Sequence, residues 1–225
     1  MPTADRVLVL IDGQNLYQAL RRAHGTRVHP LLLARELADG RELVGCRYYS
    51  GIHERDEDPD LFDFVTRRHD LMRRTGVTVV ERTLRYHWEW EIIDDLPRPD
   101  RAGDDEIHRV RARRARVARE KGIDLALGLD AVYAAFTDAA DTLVIVSRDR
   151  DLVEIAAEID ERARTRHVSV EVALVEDHGV HGLEGYDRTH WIDSDMVQRC
   201  RDRYDYRNRL DPDDVQGFVD SLTLV

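Results

Sequence analysis

Four aspartates in this sequence have the type and spacing for chemistry. Asp12 ends the apolar run RVLVLI, Asp149 and Asp151 follow the apolar run TLVIV, and Asp124 opens a helical stretch in KGIDLALGLDAVYAAF. An apolar, β-branched run has the composition of a strand buried on both faces, and open α/β sheets bind ligands outside the carboxyl ends of such strands. Carboxylates gathered there repel one another unless cations neutralise them. The hard divalent ions Mg²⁺ and Mn²⁺ take oxygen ligands and keep waters. A pair of them can activate water and stabilise the leaving oxygen in phosphodiester cleavage. Taken singly, each aspartate reads equally well as a helix cap; three acidic points at one sheet edge favour a site.

Further candidates lie beside the acids. Asn15 either caps the helix after Asp12 or uses its amide to orient a metal-bound water or a phosphate. Lys121, Ser147, Arg148 and Arg150 flank the acids; the basic ones suit phosphate contacts and otherwise balance local charge. Asp130 shares a helix stripe with Ile123, Leu127 and Ala134, where a carboxylate is costly without a partner. It supports Lys121 or Arg148, or joins the metal shell. Between Arg109 and Lys121 stand six arginines and one lysine. Arg111, Arg113 and Arg116 are candidates to track a phosphate backbone while Tyr86, Trp88 or Trp90 stack bases. Equally, Glu89 and Glu91 face them across a ribbon and the aromatics cover the core. His178 and His181 have ligand-like spacing, but the glycines of HGVHGLEG make that stretch a solvent loop.

The patterning supplies a scaffold for these groups. Strands are expected at 6–12, 43–52, 77–81, 142–146 and 168–175, and helices after Asp12 and at 30–38, 61–74, 124–136, 150–164 and 193–203. Alternation of strand and helix is the grammar of a parallel sheet covered on both faces. It stops between 84 and 120. There Tyr86, Trp88, Trp90 and Ile92 alternate with His87, Glu89 and Glu91, a two-residue period, and the arginine run alternates again after a loop with Pro97, Pro99 and Gly103. This reads as an inserted β-ribbon with a bulge at Arg113 and Arg114; a basic helix is the alternative. Leu125, Leu129, Val132 and Phe136 are expected on the core face of the helix that starts at Asp124. Residues 204–225 are a tail without assignment.

The 225 residues suffice for one α/β domain with an insertion. A net charge of -11 argues against a general basic coat for nucleic acid, while leaving room for a local basic patch. Cys46 and Cys200 are too few for a disulfide scaffold and lack zinc-site spacing. With no legible signal peptide and no run approaching twenty apolar residues, the expected location is the cytoplasm, with no membrane partner.

The segments IDGQNLYQAL, EKGIDLALGLDAVYAA and DTLVIVSRDRDLVEIA resemble, in order and spacing, the NYN domain in the LabA-like branch of the PIN-like nucleases, over roughly residues 6–175. The resemblance implies a PIN-like α/β/α sandwich with a mainly parallel central sheet, and an acidic, Mg²⁺- or Mn²⁺-dependent centre that cleaves RNA. It makes Asp12 the first-strand acid, Asn15 its companion amide, Asp124 the acid of K-G-x-D, and Asp149 and Asp151 the pair of S-G-D-x-D. These four aspartates would be the metal ligands, with Asp130 a further recurrent acid. One departure is the turn itself, which here reads Ser147, Arg148, Asp149. The family's glycine would permit a positive φ or a close phosphate. The domain is then expected over 1–203, with 84–120 as the inserted basic ribbon, RNA as substrate and a homodimer as an open option. A non-catalytic RNA- or protein-binding regulator on the same fold is the competing function. A phosphoacceptor receiver is disfavoured because VSVEVALVED has no lysine, and a haloacid-dehalogenase-type phosphatase because Gln14, not an acid, stands two residues after Asp12.

Overall fold

Alternate residues of the first strand feed two different cores. In the computed structural model, which describes residues 5–95, 110–119, 122–162, 168–207 and 212–223, that strand is β1 (Arg6–Asp12). Val7, Val9 and Ile11 pack into one hydrophobic cluster, Leu8 and Leu10 into another. A strand apolar at every position can be stable only with both faces covered. The chain continues through β2 (Glu42–Ile52), β3 (Thr78–Thr83), β4 (Arg85–Asp95), β5 (Val110–Arg119), β6 (Thr142–Val146), β7 (Ser169–Val175) and β8 (Arg188–Ile192). The helices are α1 (Gly13–His24), α2 (Pro30–Ala38), α3 (Pro59–Arg74), α4 (Ile123–Phe136), α5 (Val153–Arg162), α6 (Ser194–Arg199) and α7 (Pro212–Thr223). A single 3-10 turn, Arg150–Leu152, precedes α5.

Six strands form one parallel sheet in the order β3-β2-β1-β6-β7-β8. The cluster on one face takes Leu16, Leu20, Leu33 and Leu37 from α1 and α2; the other takes Leu127, Ala131, Ala156 and Ile159 from α4 and α5. The result is the α/β/α sandwich expected. From β1 the chain winds outward through β2 and β3, then returns to lay β6 against the other side of β1. The strand order therefore reverses between β1 and β6. That reversal opens a crevice at the carboxyl ends of the two strands.

The structure departs from the sequence expectations at several places. Helix α4 buries Ile123, Leu127, Ala131, Ala134 and Ala135, not Leu125 and Leu129, which are 66% and 61% exposed. Both stripes of this helix are apolar, and small residues decide between them by letting it approach α5. A Cβ on Gly128 would stand 2.3 Å from the Ile155 side chain. Strand β8 is absent from the sequence expectations because its central inward residue is His190, a polar side chain that is buried on Glu171. The ribbon β4–β5 is antiparallel as expected, but its irregularity lies between Ile92 and Asp94 on β4. β5 keeps strict alternation, so Arg113 and Arg114 point to opposite faces opposite Glu91 and Trp90. Within 204–225, Val215, Phe218 and Val219 of α7 pack against Leu71, Phe64 and Tyr206.

Candidate active site at the carboxyl ends of β1 and β6

Ile11 of β1 is in register with Val146 of β6, so the next residues, Asp12 and Ser147, leave the sheet side by side. Asp12 caps α1: its Oδ1 accepts the Asn15 N–H at 3.0 Å, and its Oδ2 accepts the Ser147 hydroxyl at 2.9 Å. Ser147 Oγ in turn accepts the Asp149 N–H at 3.1 Å. Asn15 Oδ1 accepts the Arg148 N–H at 3.0 Å, and Asp149 Oδ1 accepts the Asp151 N–H at 3.0 Å. Asp12 is therefore the cap of α1, while Asn15 ties down the turn after β6. Gly13 is required by the close fit behind it, since a Cβ there would lie 2.4 Å from the Tyr48 ring and 2.6 Å from the Tyr49 carbonyl oxygen.

The electrostatics are those of like charges gathered with little compensation. Burial pushes the Asp12 carboxyl above its ordinary range, and the charges of Asp124 and Asp149 push the same way against the Asn15 N–H and the Ser147 hydroxyl. Asp124, in the first turn of α4, is likewise raised by burial and then by Asp149 and Asp151. Burial is the larger cause for both, and the charge of Asp149 adds to it at Asp12 and at Asp124, so both carboxyls lie in the field of that one acid. An all-oxygen, anionic donor set of this kind suits a hard divalent cation. The ligand shell expected around one shared ion is not closed, however: among the described residues no three aspartate, glutamate, histidine or cysteine side chains converge to hold a metal.

Asp130 stands apart from this group. Its Oδ2 accepts the Tyr49 hydroxyl at 2.7 Å and pairs with Arg47 at 2.9 Å, so among the described residues β2, and not Arg148, supplies its partners. Arg148 needs no glycine-like backbone, because the non-glycine residues with positive φ among the described residues are Asp39 and Asp138. Arg148 and Asp149 are half-buried, Arg150 and Asp151 exposed. Lys121 and the Arg111 side chain lie outside the described residues. Arg113 pairs with Glu91 at 2.8 Å and Arg116 with Glu57 at 2.6 Å, while Arg114 lies over Trp88 and Arg116 over Tyr86, each at 5.4 Å. The ribbon aromatics do not cover the core, Trp88 and Trp90 being 58% and 71% exposed. His178 and His181 are exposed outside the strands and helices, as expected. Tyr186 escapes a reading of the sequence because it sits in the glycine-rich loop. Its hydroxyl is buried without a hydrogen-bond partner, and burial together with the charge of Asp149 pushes it up to about 12.

A parallel sheet in this order, with acids at its switch point and a small antiparallel ribbon alongside, defines a PIN-like α/β protein. The NYN domain model matches residues 6–182, and the chain belongs to that family, which lies within the PIN-like nuclease superfamily. No curated protein matches the chain. Among solved structures, a protein of unknown function from Vibrio parahaemolyticus shares the fold, with a TM-score of 0.55 at 19% identity over 87% of this chain and 97% of that one. No helix among the described residues is long and apolar enough to cross a membrane.

Proposed function

We propose that the protein is a divalent-metal-dependent endoribonuclease of the LabA-like branch, with its catalytic domain over 1–203. The observation that carries this reading is the shared field of Asp12, Asp124 and Asp149 at the switch-point crevice. These three, completed by Asp151, would hold Mg²⁺ or Mn²⁺, which when bound supplies an activated water and charge stabilisation on the scissile phosphate. Ser147 and the Asn15 amide hold the acids and the turn in place. Arg148 and Arg150 beside them suit the flanking phosphates of the strand. The competing reading, a non-catalytic RNA- or protein-binding regulator, draws on the open ligand shell and on Arg148 in place of glycine.

Single-stranded RNA incubated with the protein should be hydrolysed in Mg²⁺ or Mn²⁺ and left intact in EDTA. Undiminished cleavage in chelator would remove the metal mechanism, and no cleavage across varied RNAs and metals would favour the regulator.

A further inference from the structure

A cleft of about 990 Å³ opens at the carboxyl ends of β1 and β2. Gly13 and Gln14 begin its wall, directly after Asp12, and the exposed stripe of α1 continues it through Tyr17, Gln18 and Arg21. The spacing is i, i+3, i+4 and i+7, so one helical face leads away from the acids. The far wall is built from the loop after α1 and the segment after α6. Val28 forms an antiparallel bridge with Arg201, and the Asp202 N–H donates to the Arg27 carbonyl at 2.9 Å. This pairing fixes Arg27 and Arg201 in the same lining.

The charge of this lining runs against that of the chain. Five arginines face two aspartates in a protein whose net charge is -11. Asp202 is also committed within the wall, accepting the Tyr206 hydroxyl at 3.0 Å and lying 3.7 Å from Arg68 Nε. Among the described residues Arg21, Arg27 and Arg201 have no carboxylate partner; the Arg27 guanidinium lies over the Phe64 and Tyr206 rings instead. Guanidinium groups in excess of the carboxylates around them favour the entry of an anion. Tyr17, 43% exposed, offers an aromatic face in the same cleft. Guanidinium groups interleaved with a ring suit a backbone of phosphates carrying bases better than they suit an acidic peptide.

We propose that this cleft seats the part of a single-stranded RNA that flanks the scissile bond, with Arg21, Arg27 and Arg201 on its phosphates and Tyr17 against a base. The inference rests on the nuclease reading for the identity of the strand, and it assigns the grip to the α1 side of the site and not to the ribbon. The ribbon's Arg113 and Arg116 are already paired with Glu91 and Glu57.

The test is binding of a fluorescent single-stranded oligouridylate in EDTA across a salt series, where cleavage plays no part. The Arg21→Ala/Arg201→Ala double variant is expected to bind about tenfold more weakly or worse, and to flatten the slope of log affinity against log salt by about two, one for each phosphate that is no longer neutralised. The Arg113→Ala/Arg116→Ala variant should keep most of that slope. Equal slopes for the parent and the cleft variant would overturn the proposal, as would a cleft that takes poly-glutamate in preference to the oligonucleotide. The nuclease reading fails separately: a parent that binds through the cleft but cleaves nothing keeps this site and loses the catalytic one.

Discussion

Asp149→Asn is expected to lower the single-turnover rate of metal-dependent RNA cleavage by on the order of a hundredfold or more. The substitution keeps the side chain's size and leaves an Oδ1 to accept the Asp151 N–H, a bond now 3.0 Å long. The backbone N–H of residue 149 keeps its bond to Ser147 Oγ. What disappears is one negative charge from the field that raises both Asp12 and Asp124. A divalent ion should therefore bind less well, and losing several kcal/mol of its help corresponds to that fall in rate. Folding should suffer little, because relieving repulsion among clustered acids favours the compact state. RNA affinity in EDTA should hold or rise. Cleavage by the variant at the parental rate would show that any nuclease activity resides elsewhere.

The largest loss of stability should come from Glu171→Gln. Glu171 is buried on β7 and takes both arms of Arg41, at 3.0 and 2.9 Å, together with His190 Nε2 at 2.6 Å. Burial alone would push its carboxyl up, but the hydrogen bonds from His190 and Arg41 hold it down to about 2. A glutamine presents an NH₂ donor where one of these donors now arrives, and it leaves the Arg41 guanidinium with Asp5 at 3.6 Å as its remaining carboxylate. Breaking one side of a buried pair costs about 3 kcal/mol or more, which lowers the melting temperature of a domain this size by roughly 6–12 °C. The sign with pH follows from the depressed value. The contribution of Glu171 is complete above its ordinary 4.5 and is lost as the pH falls toward 2. The gap between parent and variant should therefore close in that window. Asp12 and Asp124 act with the opposite sign, since their folded values are raised and protonation relieves them. An unchanged melting temperature at neutral pH would show that the Glu171 network adds nothing to stability.

The legible parts of this molecule are those where one local pattern has one physical solution. The runs at β1 and β6 are apolar on both faces, which demands a buried parallel strand and places Asp12 and Asp149 at one edge. The period-two ribbon is legible as strands, although its arginine run also admits a basic helix and its irregularity lies on β4, not at Arg113 and Arg114. Helix α4 is less plain, because it is apolar on two stripes and only the tight fit of Gly128 against Ile155 selects between them. Strand β8 hides behind His190, whose burial depends on a partner nineteen residues earlier. Helix α7 carries Val215, Phe218, Val219 and Leu222 at helical spacing, a signal present in the tail but too short to assign without the Tyr206 surface it packs on. The arginine cleft could not be read at all. Arg21, Arg68 and Arg201 come from distant segments, whereas the conspicuous basic run of β5 commits Arg113 and Arg116 to ion pairs.

The catalytic reading stands or falls on whether Asp12, Asp124 and Asp149 form a cation site at the β1–β6 crevice. Diffraction from crystals soaked in Mn²⁺, with anomalous differences collected for manganese, decides the question. One or two peaks are expected among these three carboxylates, with the side chains drawn inward and the Asp12–Ser147 hydrogen bond retained. A map without a peak at that edge, or with manganese bound only elsewhere, would contradict the assignment.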